Sequence, residues 1–469
     1  MRQSKYQRML MSVLLLGSAV LFSGCGFKSS GVEGYKVSLE VWGVFDDSDA
    51  YASVIGDYKK LNPFIQKIEY RKLSPETYKE DLINAFAAGK GPDIFMIRNA
   101  WRAPFEDKLA AAPAGVLSEK EYRDAFADVV ATDFIGTENK IFGVPLSVDS
   151  LALYYNKDIF NAAGITKAPE TWDEIAAISQ KLTTLDQFGN ITRSGIALGT
   201  GANINRSSDI LAAMMLQLGA KLRDPNNGRS DLTQTATAQA FEYYNQFARI
   251  ASPNYSWNAR QHYSIDAFYE GTAAMMINYS WQNDTIVQKN AKLNIGVAKL
   301  PQFKPETPVN TANYWGYAVS KKASSDTTKF TPSTKETVVS AEAQNAARVL
   351  ESWQFLKYLT LAGAQKSITL TNGLVGTSKE FPLTTDPSKT YLDKLHKPAA
   401  RRDLIAMQQS DLVLSAFANG NLIAKSWYQG DPEAMDGILV DMIDSVGRGE
   451  KTLQEALATA TNRINLLTR

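Results

Sequence analysis

The chain has 469 residues, of which 44% are hydrophobic and 21% charged, a balance typical of a globular protein with a substantial core. Fifty Lys and Arg stand against 49 Asp and Glu, so no strong net charge favours nucleic acid or an acidic membrane surface. A single cysteine excludes an internal disulfide, and His262 and His396 lie too far apart in sequence to form a His-rich metal motif. We therefore expect no cofactor, no metal and no nucleic-acid partner, whereas catalysis by carboxylates stays open.

Residues 1–24 are predicted to form a signal peptide. Three basic residues precede an apolar stretch over 9–22, which is shorter than the about 20 residues that span a bilayer. The stretch runs into Phe22-Ser-Gly-Cys25, which resembles a bacterial lipobox, although Phe22 stands where Leu is commoner. The resemblance implies that Cys25 is lipidated and becomes the mature N-terminus, with 25–35 as a tether. The alternative is an ordinary signal peptide followed by a buried cysteine.

This interpretation places the protein outside the cytoplasm as a membrane-anchored lipoprotein. Removing residues 1–24 leaves 47 basic against 49 acidic residues, a net charge of −2.

The first elements of the mature chain predict an α/β protein. Alternation of apolar and polar residues over 37–42 predicts a strand, and Gly43 ends it. A helix is predicted from Ser74-Pro75 to Gly89, and an apolar strand follows over 94–97. Strand, helix and strand in this order indicate a βα unit of a mostly parallel sheet.

Later segments continue the mixed pattern. A strand is predicted over 151–155, and the spacing of Thr171 and Glu174 is that of a capping box that starts a helix. Further helices are predicted from Ser208 to 218, from 431 and from 452, and the Ser-, Thr- and Lys-rich segment 320–343 is predicted to be an exposed loop.

Five separated segments carry a resemblance to one family. They are 89–95, 142–158 with 169–174 after it, 268–275 with Trp281 after it, 315–321, and 352–359. In order and spacing they resemble family 1 of the extracellular solute-binding lipoproteins of ABC transporters, the sugar-binding branch similar to maltose-binding protein.

The resemblance implies an α/β, two-lobed periplasmic-binding-protein fold of type II with three hinge crossings. We expect the crossings near 147–150, 298–303 and 372–377. The N-terminal lobe then comprises 36–148 plus 301–373, and the C-terminal lobe 149–300 plus 374–469. The implied partners are a carbohydrate ligand and the ABC permease subunits in the membrane, and we expect a monomer without catalytic activity.

A sugar-binding cleft needs flat rings for the apolar face of the sugar and polar groups for its hydroxyls. The aromatic candidates lie near strand ends or match family positions: Trp101, Trp281, Trp315, Trp427 and Tyr428. Trp172 and Trp353 are predicted to be core residues, and Trp42 to lie beneath the site. For Trp257, surface packing is as good an interpretation as ligand contact.

The polar candidates follow predicted strands or crossings: Asp46, Asp47, Asn99, Asp149 and Asn203. Asp149 matches the position of an acidic ligand contact in several relatives, and a carboxylate there accepts two hydroxyl donors. A solvated turn is the alternative for Asp46 and Asp47, and a structural turn is an equally good interpretation for the asparagines.

The sequence thus predicts capture of a mono- or oligosaccharide for an ABC importer. The alternatives keep the fold with another solute, such as glycerol phosphate or a polyamine, or keep sugar binding in a sensor or adhesin that feeds no importer. A more remote alternative is a lipoprotein glycosidase that uses two carboxylates, such as Asp46 and Asp149.

Overall fold

The computed structural model describes residues 35–224, 228–321, 330–331, 340–374, 376–426 and 431–467. The predicted signal peptide, the lipidation site Cys25, and the candidates Trp427 and Tyr428 lie outside the described residues. No helix within these ranges combines the length and apolar character needed to cross a membrane.

The strands are, in chain order, β1 Lys36–Gly43, β2 Ile65–Lys72, β3 Ile94–Arg98, β4 Leu109–Ala110, β5 Ala152–Asn156, β6 Thr184–Leu185, β7 Ile191–Arg193, β8 Met275–Asn278, β9 Ile295–Lys299, β10 Asn310–Thr311, β11 Trp315–Ser320, β12 Phe330–Thr331, β13 Ser367–Thr371, β14 Ser378–Pro382 and β15 Ala424–Lys425.

The helices are α1 Asp49–Leu61, α2 Tyr78–Ala87, α3 Arg102–Phe105, α4 Glu119–Ala125, α5 Asp128–Phe134, α6 Lys157–Ala162, α7 Trp172–Leu182, α8 Ser207–Gln217, α9 Thr235–Asn245, α10 Ser264–Tyr269, α11 Gln282–Lys289, α12 Ala341–Thr360, α13 Ala362–Gln365, α14 Pro387–Leu395, α15 Arg402–Gln408, α16 Leu414–Leu422, α17 Pro432–Gly447 and α18 Leu453–Leu467. Short 3₁₀ turns cover Asn99–Trp101, Glu106–Lys108, Thr137–Asn139 and Gln246–Ala248.

The N-terminal sheet has the order β2-β1-β3-β11-β4, and β12 pairs with the beginning of β1. Strands β1, β2 and β3 are parallel, as the predicted βα unit requires, and β11 runs antiparallel to β3. The buried apolar side chains of β3 explain its central position, since a strand covered on both faces is apolar throughout. The C-terminal sheet is smaller, with the order β8-β5-β9 and antiparallel pairing throughout.

Two large hydrophobic clusters confirm two lobes. The N-terminal cluster runs from Tyr35 to Val148 and resumes at Tyr314, whereas the C-terminal cluster runs from Leu151 to Leu300 and resumes at Met435. The first change of cluster falls at the predicted crossing near 147–150. The second lies between 300 and 314, an interval that overlaps the end of the predicted crossing at 298–303.

The third change of cluster differs from the prediction. Most buried residues from Ile368 to Ala424 pack in the N-terminal cluster, whereas Ala416 and Phe417 of α16 pack with Ala152 and Tyr154 of β5 in a third, smaller cluster. Buried residues rejoin the C-terminal cluster from Met435, so the change of lobe does not fall at 372–377. Gly376, with φ of 74°, serves a different purpose, because it lies in the turn of the β13–β14 hairpin. The predicted boundary between the lobes at residue 374 therefore differs from the clusters, because buried residues such as Tyr391 and Ile405 beyond it still pack in the N-terminal cluster.

Among the tryptophans placed by sequence, Trp172 and Trp353 are fully buried as predicted, and Trp42 is buried at the end of β1. The interpretation that Trp257 packs on the surface is wrong. Its ring is fully buried in the C-terminal cluster, and its Nε1 donates to Asn203 Oδ1 at 3.2 Å.

Candidate functional site

A cleft of about 800 Å³ lies between the two lobes. The N-terminal lobe contributes Phe45, Asp46, Arg98, Trp315 and Lys397 to its lining, and the C-terminal lobe contributes Arg206, Asp209, Ser280, Trp281, Asp284, Glu433 and Asp436. Its volume is in the range that holds a small organic ligand.

Strand ends position part of this lining, and helices α8, α11 and α17 supply its other acidic residues in the C-terminal lobe. Phe45 and Asp46 follow β1, Arg98 ends β3, and the antiparallel pairing of β11 places Trp315 directly opposite Arg98. In the other lobe, Trp281 follows β8. Ligands bind at the carboxyl ends of strands in open α/β sheets, and here the ends from both lobes face one cleft.

Two tryptophans form aromatic platforms on the two lobes. Trp315 packs edge-on against Trp101, Phe45 and Tyr78, with ring centroids 5.0, 5.5 and 5.9 Å away. Trp281 is 39% exposed and stacks on Tyr279 at 4.6 Å. Because neighbouring rings fix both platforms, little side-chain entropy is lost when a flat apolar ligand face stacks on them.

Asp46 is buried and paired at the N-terminal side of the cleft. Its Oδ1 lies 2.5 Å from Lys397 Nζ, and its Oδ2 accepts hydrogen bonds from the hydroxyls of Tyr391 at 2.6 Å and Tyr51 at 3.2 Å. These contacts hold the carboxylate in one orientation at the cleft wall, which favours recognition of a ligand with a fixed geometry.

Asp149 joins the first crossing to the C-terminal lobe. Its Oδ2 accepts from the backbone N of Ser280 at 3.0 Å and from Ser280 Oγ at 2.5 Å, and its Oδ1 accepts from the backbone N of Ser150. Burial raises the pKa of Asp149 from its usual 3.8 to about 7, although these hydrogen bonds and the charge of Lys397 oppose the rise. A carboxyl group at the hinge and in the cleft wall is thus poised to titrate near neutral pH.

Titration of Asp149 should appear in the pH dependence of stability. Because its folded pKa is raised, the folded state holds a proton that the unfolded chain has lost. The resulting stabilisation is fully present below about pH 4 and is lost as the pH rises to about 7. Asp149→Asn should therefore remove a slope of at most about 1.4 kcal/mol per pH unit from the urea unfolding free energy between pH 4 and 7.

The exposed Asp107, paired with Lys108, supplies the control. Asp107→Asn should keep the wild-type slope, and an equal slope in Asp149→Asn and the wild type would show that Asp149 does not titrate in this way.

A charged cluster surrounds Asp209 on the C-terminal side. Burial is the largest effect and raises the pKa of Asp209, while the positive charges of Arg206 and Arg98 lower it. Arg98 also spans the two lobes, since its Nη1 lies 3.3 Å from Glu433 Oε1 at the beginning of α17. Around the whole described cleft, six carboxyl groups face three Lys and Arg side chains.

Of the residues predicted from sequence, Asp46, Asp149, Trp281 and Trp315 line this cleft. Trp427 and Tyr428 fall outside the described residues.

Four other candidates do not line this cleft: Asp47, Trp101, Asn99 and Asn203. Asp47 is exposed and pairs with Lys72. Trp101 is buried behind Trp315, with Phe105 on its other side. Asn99 lines a small adjoining cavity of about 20 Å³ and is not among the residues that line the large cleft.

The amide groups of two of them are taken up by the protein itself, which explains their positions. Asn99 Nδ2 donates to Asp133 at 3.1 Å and to Ser426 at 3.0 Å. Asn203 Nδ2 donates to the carbonyls of Asn258 and Gln261 and so ties a loop together.

Sequence reasoning missed Arg206, Asp209 and Lys397 as cleft residues. Lys397 carries no local pattern, because it reaches Asp46 across 351 residues of sequence. Asp209 could have been noticed as the acidic residue in the first turn of α8. As for a metal, the described part of the chain contains no group of three or more His, Cys, Asp or Glu side chains suited to hold one.

One protein family matches most of the chain. The profile of the bacterial extracellular solute-binding protein family matches residues 43–366. A maltotriose-binding protein of Pyrococcus abyssi is 25% identical over 245 residues, 50% of this chain and 49% of that protein. The chain spans about half the length of this relative and of a matching Brucella abortus binding protein.

Two other matches extend over more of the chain. The sn-glycerol-3-phosphate-binding periplasmic protein of Salmonella typhimurium is 25% identical over 429 residues, 88% of this chain and 87% of that protein. Among solved structures, the cyclic alpha-maltosyl-1,6-maltose binding protein of Arthrobacter globiformis superposes with a TM-score of 0.71 at 18% identity, over 92% of this chain and 99% of that one. This likeness confirms the predicted α/β binding-protein fold.

Proposed function

Because the chain belongs to the bacterial extracellular solute-binding protein family, we propose that it captures a carbohydrate between its lobes and delivers it to an ABC importer. The observation that carries the proposal is the pair of fixed aromatic platforms, Trp315 and Trp281, that face one cleft from opposite lobes. Stacking rings suit the C–H face of a pyranose, and the surrounding carboxylates accept its hydroxyls. The relatives named for maltotriose and maltose derivatives support this ligand class.

The charge of the cleft separates the alternatives. Six carboxyl groups face three Lys and Arg side chains in the described lining, and burial raises the pKa of two of them, Asp149 and Asp209. The other four still outnumber the positive side chains, which opposes an anion such as glycerol phosphate, although one relative is named for that solute. The same acid excess favours a cationic polyamine as the second candidate. A neutral sugar uses the carboxylates as hydrogen-bond acceptors without needing a compensating charge.

Membership of an extracellular family supports an extracytoplasmic location. We further propose a lipid anchor at Cys25, which the lipobox-like sequence supports, and a monomeric binding domain tethered to a membrane beside its permease. The relatives are named as binding proteins, which supports capture and release of the solute without chemical change.

A melting panel tests the ligand class. Maltose, maltotriose, maltotetraose and mannotriose represent sugars, with spermidine and glycerol 3-phosphate as charged alternatives. A bound sugar at a hundredfold excess over its Kd should raise the free energy of unfolding by about 2.7 kcal/mol. Stabilisation by spermidine or glycerol 3-phosphate, with none by any sugar, would replace the carbohydrate by that solute.

A further inference from the structure

We propose that Arg206 is a specificity-determining ligand contact, which donates hydrogen bonds to an uncharged oxygen, a hydroxyl or a ring oxygen, of the bound solute. This inference rests on the proposed carbohydrate function. It adds a residue that lies between the loop of Asn203 and α8 and that lines the cleft.

The backbone of Arg206 has an unusual conformation. Arg206 occupies the cap position before α8 with φ of 64° and ψ of 27°, the left-handed region that a long side chain rarely adopts. Both neighbours hold it there: Asn205 N donates to Ser264 Oγ at 2.9 Å, and Ser207 Oγ donates to the carbonyl of Gly201 at 2.9 Å. Strain that the surroundings impose is found preferentially at binding sites, where it aims a side chain.

The side chain of Arg206 lies next to two aromatic rings and, within the described residues, has an unpaired donor. Its guanidinium carbon lies 5.4 Å from the ring centroid of Trp281 and 5.9 Å from that of Tyr279, and these two rings stack on each other. Its Nε is buried and has no hydrogen-bond partner among the described residues. A buried donor without a partner is costly, so a ligand oxygen that accepts from this group gains more than one that meets a hydrated arginine.

The charges around Arg206 define the acceptor. Asp209 lies close enough for its carboxyl pKa to be lowered by the charge of Arg206, against the larger raising effect of burial, and Asp436 lies near enough to raise it. Arg206 thus lies within electrostatic reach of Asp209, which in turn lies near Asp436. A phosphate or carboxylate would be repelled by these carboxyl groups, whereas a sugar hydroxyl or ring oxygen would not.

Arg206→Asn is the informative variant, because asparagine tolerates the left-handed backbone and only the guanidinium is lost. Lys366 provides a matched control: it is also basic, has φ of 58°, is exposed, and is not among the residues that line the cleft. The experiment measures calorimetric affinity for the sugar with the largest melting shift and the melting temperature without ligand, in the wild type, Arg206→Asn, Arg206→Lys and Lys366→Asn.

We expect Arg206→Asn to weaken sugar binding at least tenfold and to leave the ligand-free melting temperature no lower than that of Lys366→Asn. Arg206→Lys should also bind more weakly, because one ammonium does not reproduce the guanidinium fork. Unchanged affinity in Arg206→Asn would overturn the inference, as would tighter binding of glycerol 3-phosphate than of any sugar.

The carbohydrate function and the role of Arg206 can be refuted by different results. If no sugar binds the wild type, the carbohydrate function fails, and the ligand-free melting temperatures still decide whether Arg206 serves folding. A clear drop in Arg206→Asn alone would make Arg206 a structural residue and refute the inference. An unchanged value would support a role outside folding.

Discussion

Replacing Trp315 by alanine should weaken sugar binding by about 2 kcal/mol, or roughly 30-fold in Kd, because a central aromatic anchor is lost from the interface. Trp315 is held by three neighbouring rings, so the free protein already presents it in the binding orientation. Trp315→Phe should retain part of the affinity, since a smaller ring still stacks. Calorimetric titration with the sugar that gives the largest melting shift measures both variants.

Phe188 is a suitable control because it is 79% exposed and is not among the cleft-lining residues. Phe188→Ala should bind the sugar as the wild type does. Equal affinities of Trp315→Ala and Phe188→Ala would place the ligand away from this platform and would count against the proposed cleft.

The largest effect on stability is expected at the buried ion pair of Asp93 and Arg348. Their side chains are 0% and 4% exposed, with Asp93 Oδ1 3.4 Å from Arg348 Nη1, and Asp93 Oδ2 also accepts from the backbone N of Glu40 at 2.8 Å. Asp93→Ala leaves the guanidinium buried without its counter-charge. We expect the free energy of unfolding in urea to fall by about 3–5 kcal/mol.

The pair also joins separate elements of the N-terminal lobe. Arg348 comes from α12 and donates through Nη2 to the carbonyl of Ser320 at 2.6 Å at the end of β11. The exposed pair of Lys120 and Asp124 is the contrast, and Asp124→Ala should leave the urea midpoint unchanged. A small effect of Asp93→Ala, similar to that of Asp124→Ala, would show that the buried pair does not hold the lobe together.

The local pattern of the sequence predicted much of the fold. The alternation in β1 and the apolar run in β3 led to a parallel sheet, and Thr171 forms the predicted capping box with Glu174. These signals are local, because hydrophobic periodicity and cap chemistry depend on a few neighbouring residues. The resemblance to a family then supplied the two lobes, which local patterns do not contain.

The third crossing could not be placed in this way. Glycines near 373–376 suit a hinge and a hairpin equally well, and the choice depends on how the following helices pack. Tyr391 of α14 settles it, since its hydroxyl donates to Asp46 and its ring packs against Tyr51 in the N-terminal lobe. That contact joins residues 345 positions apart and leaves no trace in local sequence.

The same limit applies to the cleft. Strand ends pointed correctly to Asp46 and Trp315, because position relative to a sheet is a local property. The amide of Asn203 looked equally suitable, yet distant carbonyls occupy it. Arg206 was missed because its left-handed backbone and its position next to the Trp281 ring arise only in the folded chain.

A crystal structure of the protein with the sugar that gives the largest melting shift would show directly whether the cleft between the lobes binds the solute. We expect a pyranose ring in contact with Trp315 on one lobe and Trp281 on the other, with hydroxyls hydrogen-bonded to the cleft carboxylates. A sugar bound outside this cleft, or one that contacts neither tryptophan, would contradict this expectation.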